Sequence, residues 1–214
     1  MGVCTLLQNV ENEIVIEKSR FICTLKKVQT EEEAQDFVKA MKKKYWDATH
    51  NCSAYLVDDR AQRSSDDGEP SGTAGIPMLE VLRKAGVQRV AAVVTRYFGG
   101  VKLGAGGLVR AYTNSVAEAL HKAGRAERVE LGHFVFTTDM ETSGKVLNML
   151  YADGHYKITN VDYGDETRIL FTMRRDEGQE AEKYLTELLQ IPVDLCYTDS
   201  EFAEIPVEVS DKNV

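Results

Sequence analysis

The residues of this chain whose types and spacing could do chemistry lie between Asp66 and Arg110. They form two glycine-rich blocks: Asp66-Asp67-Gly68-Glu69-Pro70-Ser71-Gly72-Thr73-Ala74-Gly75, then Arg96-Tyr97-Phe98-Gly99-Gly100-Val101-Lys102-Leu103-Gly104-Ala105-Gly106-Gly107-Leu108-Val109-Arg110. Nine of the 16 glycines fall between Gly68 and Gly107, among charges. Glycine costs backbone entropy wherever it is ordered, so such a cluster points to positive-φ turns or to backbone brought close to a bound group. The second block follows an apolar run at residues 89–95 and precedes a helical pattern with Leu108, Tyr112, Val116, Ala119 and Leu120 on one face. It therefore occupies a strand-to-helix junction, where free N–H groups and the helix dipole favour anions. Arg96, Lys102 and Arg110 add cations, and Tyr97, Phe98 and Tyr112 add aromatic faces. A phosphate-bearing or nucleotide-like ligand suits this set, and so does an acidic protein surface.

The first block supplies acids. Asp66, Asp67 and Glu69 could hold a hard cation such as Mg²⁺, pair with the arginines of the second block, or form a solvated acidic loop. No cofactor and no metal site are expected beyond that Mg²⁺ alternative. The glycines match neither a dinucleotide fingerprint nor a P-loop as written, which leaves tight turns and close packing as the alternative role. Gly68-Glu69-Pro70-Ser71-Gly72 resembles a nucleophile elbow only in composition, and there is no H-E-x-x-H. His50 and Cys52 fall on one side of a strand without a second ligand pair or an orienting acid, so both are read as satisfied, partly buried residues. His121 is expected to be structural, and His133 and His155 fall at strand starts. Lys42-Lys43-Lys44 reads as a solvated helix end suited to the C-terminal dipole.

Around these blocks the periodicities give a scaffold. Residues 13–17 and 21–25 alternate as paired strands across Lys18-Ser19-Arg20. Thr30 and Glu33 form a capping box for a helix with Ala34, Phe37, Val38, Met41 and Tyr45 on its apolar stripe. A strand at 52–57, a short helix at 76–85 and the buried strand at 89–95 follow. Beyond Leu131 the pattern restarts: a strand with Phe134 and Phe136, then a helix capped by Asp139 with Met140, Leu147 and Leu150. Two strands at 156–163 and 166–174 turn on Gly164-Asp165. Asp176 with Gln179 then opens a helix whose Ala181, Tyr184, Leu185 and Leu188 face inward, and Val193, Leu195 and Tyr197 alternate in a last strand. This β-α-β-β-α-β order is the ferredoxin-like arrangement. The fold class is thus α+β in two domains, residues 1–131 and 132–208, with a tail at 209–214 whose last residues, 210–214, fray.

Bulk properties narrow the function. With 214 residues, 43% hydrophobic and 28% charged, the composition is globular. The start lacks the regions of a signal peptide, no apolar run reaches membrane-spanning length, and Cys4, Cys23, Cys52 and Cys196 form no close pair. A cytoplasmic, reducing location and no membrane partner are expected. Up to Leu131 there are 19 Lys+Arg against 17 Asp+Glu; from Gly132 onward there are 7 against 17. Non-specific nucleic-acid binding is therefore disfavoured for the second half and left to a local patch on the first.

The two blocks, continuing to Ala111-Tyr112, resemble the signatures of the YigZ/IMPACT family, and His50-Asn51-Cys52-Ser53-Ala54-Tyr55 resembles its shorter upstream motif. The likeness covers roughly residues 15 to 125, and the remainder is similar to the bacterial YigZ layout. It implies an N-terminal α+β domain of the kind shared by a ribosomal-protein domain and the GHMP kinases, followed by a ferredoxin-like domain. It also implies a non-enzymatic role in translation or stress regulation, with the ribosome, RNA or a translation-associated protein as partner of the N-terminal domain. The competing reading is a phosphate- or nucleotide-binding enzyme using the groove between the blocks. Candidate ligand-binding residues are His50, Asp66, Asp67, Glu69 and Thr73, with Arg96, Tyr97, Gly99, Gly100, Lys102, Gly104, Gly106, Gly107 and Arg110; no catalytic residue is assigned.

Overall fold

The computed structural model describes residues 3–154 and 156–207, so His155 and the expected tail lie outside the described residues. It is a mixed α+β chain in two compact units: residues up to Arg128 together with those from Glu204 onward, and Val129–Ala203.

The first unit contains β1 (Val3–Leu6), β2 (Val10–Ile16), β3 (Ser19–Lys27), α1 (Glu31–Lys44), β4 (His50–Leu56), β5 (Gln62–Ser65), α2 (Gly75–Lys84), β6 (Val90–Tyr97) and α3 (Gly104–Ala123). A five-stranded sheet runs in the order β2-β3-β6-β4-β5, with every neighbouring pair antiparallel. Strand alternation sorts its side chains between two cores. Cys52, Ala54, Leu56, Ala92 and Val94 pack with Met78 and Leu82 of α2 and Leu108, Tyr112 and Val116 of α3. Tyr55, Ala91 and Val93 pack on the opposite face with Ala34, Phe37 and Met41 of α1. Helices cover both faces of β6, which explains its uninterrupted apolar sequence.

The α1 capping box forms at its Ser/Thr end, where the Glu33 N–H donates to Thr30 Oγ1 at 3.2 Å, while the Glu33 carboxylate reaches back to the Gln29 N–H at 2.7 Å. The β2–β3 turn differs from the expected one. Ile16 pairs with Ser19, so the connection is Glu17-Lys18, both left-handed at φ 46° and 64°. That is the geometry a two-residue hairpin demands, here met without glycine or asparagine. β1 and β5 are only four residues each, and β5 carries no apolar residue, so neither stands out in the sequence; β1 is held by antiparallel pairing with Arg125–Arg128 and β5 by β4. His121 is exposed on α3 rather than structural. Lys42 is not merely solvated, since it forms an ion pair with Asp67.

β7 (Arg125–Thr138) runs on into the second unit, which adds α4 (Met140–Asp153), β8 (Lys157–Tyr163), β9 (Thr167–Arg174), α5 (Gly178–Leu189) and β10 (Leu195–Val207). Strand order β10-β7-β9-β8 gives the split βαβ topology. Phe134, Phe136, Val146, Leu150, Ile169, Phe171 and Leu185 form its core. Asp139 caps α4 through the Thr142 N–H at 2.7 Å. Elsewhere the local reading needs correction. Tyr163 pairs with Thr167, so residues 164–166 all belong to the turn. A 3₁₀ turn at Arg175–Glu177 displaces the start of α5, which has no side-chain cap, so the Asp176–Gln179 box does not form. Leu189 takes an inward position on α5, whereas Tyr184, Leu188 and, on α4, Met140 are exposed. Val193 is buried ahead of β10 rather than within it, and Tyr197 is exposed.

One glycine of the second block is fixed by close approach. A Cβ on Gly99 would lie 2.0 Å from the Lys18 carbonyl carbon, so the β2–β3 turn and the block touch backbone to backbone. Gly99→Ala should destabilise the protein by about 3 kcal/mol in urea denaturation, because the obstruction is main chain and cannot repack. Gly106, whose added Cβ would meet nothing within 4 Å, serves as the control. Gly106→Ala should gain about 0.5–1 kcal/mol from helix propensity.

Candidate functional site

The two glycine blocks meet through a buried ion pair. Glu69, one residue beyond Gly68, places Oε1 2.6 Å from Nη1 of Arg96 at the end of β6, with side chains only 3% and 6% exposed. The Tyr112 hydroxyl of α3 donates to the same carboxylate oxygen at 2.8 Å. His50 at the start of β4 brings Nε2 to 3.8 Å from Glu69 Oε2 and bonds the Asp67 carbonyl through Nδ1 at 2.9 Å. Ser19 Oγ, beside the hairpin turn, accepts from the Gly99 N–H at 3.1 Å and from Arg96 Nη2 at 3.5 Å. Arg96 Nε is buried without a hydrogen-bond partner among the described residues.

Each acid of the first block is engaged. Asp66 accepts from the backbone N–H groups of Gly72, Ala74 and Gly75, the last two at the start of α2, at 2.8, 3.1 and 2.8 Å. Burial by itself would raise its pKa, but these three donors outweigh burial and hold the carboxyl below the usual range. Asp67 accepts from the Asn51 N–H at 2.7 Å as well as pairing with Lys42. Thr73 is buried and donates to the Pro70 carbonyl at 2.6 Å. Among the described residues, no group of three or more His, Cys, Asp or Glu is arranged to hold a metal ion.

Nucleophilic chemistry is disfavoured at the thiol here. The Cys52 sulfur lies 2.9 Å from the Asp66 carbonyl and 3.3 Å from the Tyr112 hydroxyl. Burial, reinforced by the charges of Glu69, Asp67 and Asp66, pushes its pKa up to about 12 despite the hydroxyl contact. Burial and the neighbouring Cys52 and Glu69 also raise that of Tyr112, which therefore stays a donor.

The second block faces water beyond Arg96. Tyr97 donates to Asp47 at 3.0 Å, and the loop leaves Lys102 exposed. Gly100 and Gly104 adopt φ of 88° and 69°, turning the chain into α3. That helix has no side-chain cap, so the N–H groups of its first turn, where Gly104 and Gly106 are exposed and Gly107 is half-buried, lack the protection that Asp66 gives α2. Arg110 is exposed two residues after the buried Leu108. A cleft of about 380 Å³ separates the blocks, lined by Glu69 and Pro70 on one side and by Arg96, Phe98, Lys102, Leu103, Gly104, Ala105 and Leu108 on the other. The structure thus brings Glu69, Arg96, Lys102 and Gly104 together, but commits Arg96 to an internal pair. Asp66, Asp67 and Thr73 tie the first block to the scaffold. Ser19 had no local signal in the sequence, and Asn51 had only its place in the His50–Tyr55 motif, because their roles arise from contacts made across the sheet.

Comparison with known proteins agrees with this architecture. Residues 17–120 match the Impact N-terminal domain. The chain is 47% identical over 186 residues to the IMPACT family member YvyE of Bacillus subtilis (strain 168), covering 86% of this chain and 85% of that protein. It is 40% identical over 153 residues to the IMPACT family member YigZ of Escherichia coli (strain K12), covering 69% and 74% respectively. A solved crystal structure of a hypothetical protein matches with a TM-score of 0.56 and 31% identity, covering 94% of this chain and 100% of that one. The chain belongs to the IMPACT family.

Two outcomes follow from the buried network. Glu69→Gln leaves Arg96 charged and buried without its counter-ion, so urea denaturation should record a loss of about 3–5 kcal/mol, part of which Arg96→Met in the same chain restores. The Asp66 contribution has a defined pH window. Its folded pKa lies below the unfolded value, so the stabilisation is complete above about pH 5 and disappears as pH falls through the folded value. Thermal melts from pH 7 to pH 2 should show Asp66→Asn less stable at neutral pH, with a shallower decline in acid than the parent.

Proposed function

We propose that this protein is a non-catalytic binding module of the cytoplasm, acting in translation or stress regulation through contact of its first unit with RNA, including ribosomal RNA. The observation that carries this reading is the uncapped, exposed start of the 20-residue helix α3 beside Lys102, on the rim of the cleft between the blocks. Backbone N–H groups and a helix dipole at that point attract phosphate, and the neighbouring lysine adds a full charge. Because Arg96 is neutralised by Glu69, Lys102 and Arg110 are the cations left to meet a phosphate backbone. The four free cysteines suit a reducing compartment, and among the described residues no helix is long and apolar enough to cross a membrane. The acidic second half of the chain is assigned no RNA contact.

Filter binding with single-stranded RNA at two salt concentrations tests the reading. Affinity should fall with salt, and Lys102→Ala and Arg110→Ala should each weaken binding and lower the salt slope by about one. Binding that is absent, or indifferent to salt and to both substitutions, sinks it. The cleft volume also favours a second reading, a small phosphorylated ligand. A thermal-shift panel of nucleotides and sugar phosphates with Mg²⁺ separates the two. A specific ligand at 100 times its dissociation constant adds about 2.7 kcal/mol, whereas an RNA-binding surface leaves the panel without a hit.

A further inference from the structure

The five-stranded sheet of the first unit ends in two edge strands that are finished differently. At the β2 edge, Lys122 of α3 donates to the Glu11 carbonyl at 3.0 Å and the Asn12 side-chain amide donates to Glu118 at 3.5 Å, so side chains of the protein occupy that margin. β5 is the last strand on the other side, and no strand pairs with its far margin. An edge strand left in this state is a template for a further strand.

The register shows which main-chain groups are turned outward. Asn51 in β4 and Val57 just after it send their N–H groups toward β5, the first to Asp67 at 2.7 Å and the second to the Ala61 carbonyl at 2.9 Å. Alternation along the strand then gives Ser53 and Tyr55 the bonds to their partners Ser65 and Arg63. The N–H and C=O groups of Gln62 and Ser64 consequently point away from the sheet. From one face α2 presses on Ser65 at Gly75 and holds the Gln62 side chain through Arg83, so β5 is braced from that side.

On the opposite face, which α1 covers, a groove of about 300 Å³ runs beside the same margin. Val38, Lys39 and Lys42 of α1 form its wall, and Tyr55, Arg63 and Ser65 of the sheet form its floor. α1 packs on β6 and β4, which leaves Arg63 and Ser65 exposed. A helix on one side and an open strand on the other is the shape that admits one extended peptide. Most charges around the groove are already paired. Lys39 pairs with Asp36 and Lys42 with Asp67, and Glu31 accepts from the Tyr55 hydroxyl at 2.6 Å. In the β4–β5 turn Asp58 accepts from the Arg60 and Ala61 N–H groups, and Asp59 and Arg60 are exposed with opposite signs. Arg63 has no ion-pair partner among the described residues. A strand with one carboxylate over Arg63 is the complement, whereas a run of acids would also meet Glu31, Asp36 and Asp67.

We propose that β5 and α1 form a docking groove for an extended peptide of a partner protein, which joins the five-stranded sheet as a further strand and sets one aspartate or glutamate against Arg63. The main-chain groups of Gln62 and Ser64 supply the affinity, and Arg63 selects the side chain. This groove shares no lining residue with the cleft between the glycine blocks, so the proposal does not rest on the RNA-binding reading.

A random heptapeptide library displayed on phage and selected against the full chain supplies the probe. Recovered peptides, synthesised and titrated by anisotropy, should carry one acid among alternating β-branched residues. N-methylation of one alternate set of their amides should abolish binding while the other set is tolerated, because an added strand bonds through every second residue. Ser64→Pro removes an outward N–H and no bond to β4, so it should fold like the parent and bind at least about tenfold more weakly. Arg63→Glu should weaken binding about fivefold, and exchanging the peptide's acid for lysine should recover it. Lys102→Ala and Arg110→Ala should leave peptide binding unchanged, which separates this groove from the RNA surface. A library that yields no binder overturns the proposal, and so do binders indifferent to Ser64→Pro and to N-methylation of either set. Sedimentation showing concentration-dependent pairing of the parent chain that Ser64→Pro abolishes would give the edge to a second copy instead, and overturns it too.

Discussion

The Glu69–Arg96 pair is the interaction on which the working end of the first unit depends. Both side chains are nearly excluded from water, where an ion alone would be very unfavourable, so each stabilises the other's presence. Tyr112 and Ser19 supply further hydrogen bonds to the pair, drawing in α3 and the start of β3. A loop of glycines and acids, the end of the central strand and the long helix are thereby fixed to one another at a single point.

The pair also divides the labour among the charges. Arg96 and the carboxylates of the first block belong mostly to the scaffold, since Asp66 satisfies the start of α2 and Asp67 satisfies β4 and Lys42. What remains in water is Lys102, Arg110, Phe98 and the open first turn of α3. The asymmetry between the two helices is chemical: one N-terminus is closed by a carboxylate of the protein, and the other is left to whatever anion approaches it.

Much of the scaffold was legible because it is local. Thr30 and Asp139 announced helix starts that form, and the apolar run through Val93 announced a strand covered on both faces. Errors arose where a local pattern was outweighed by packing or register. Asp176 and Gln179 have capping-box spacing, yet a 3₁₀ turn takes the residues where the box would sit. Met140 and Leu188 have the right polarity for a core but fall on the wet side of their helices. The Glu17-Lys18 turn carries none of the usual turn residues, because pairing of β2 with β3 and the backbone of Gly99 impose it.

The sequence by itself determined the α+β class and the kinship with IMPACT proteins, and it marked a candidate surface at the two glycine blocks, since composition, periodicity and motif spacing are properties of neighbouring residues. It could not say which charges in that surface were free. Arg96 and Lys102 look alike six positions apart, and only the fold brings Glu69, 27 positions before Arg96, within hydrogen-bonding distance of one and not the other. Nor could it show that Asp47 and Thr49 meet Tyr97 and Phe98, because that depends on strand β6 ending beside the turn after α1. Burial and pairing are decided by residues distant in the chain, and tertiary structure alone sets those distances.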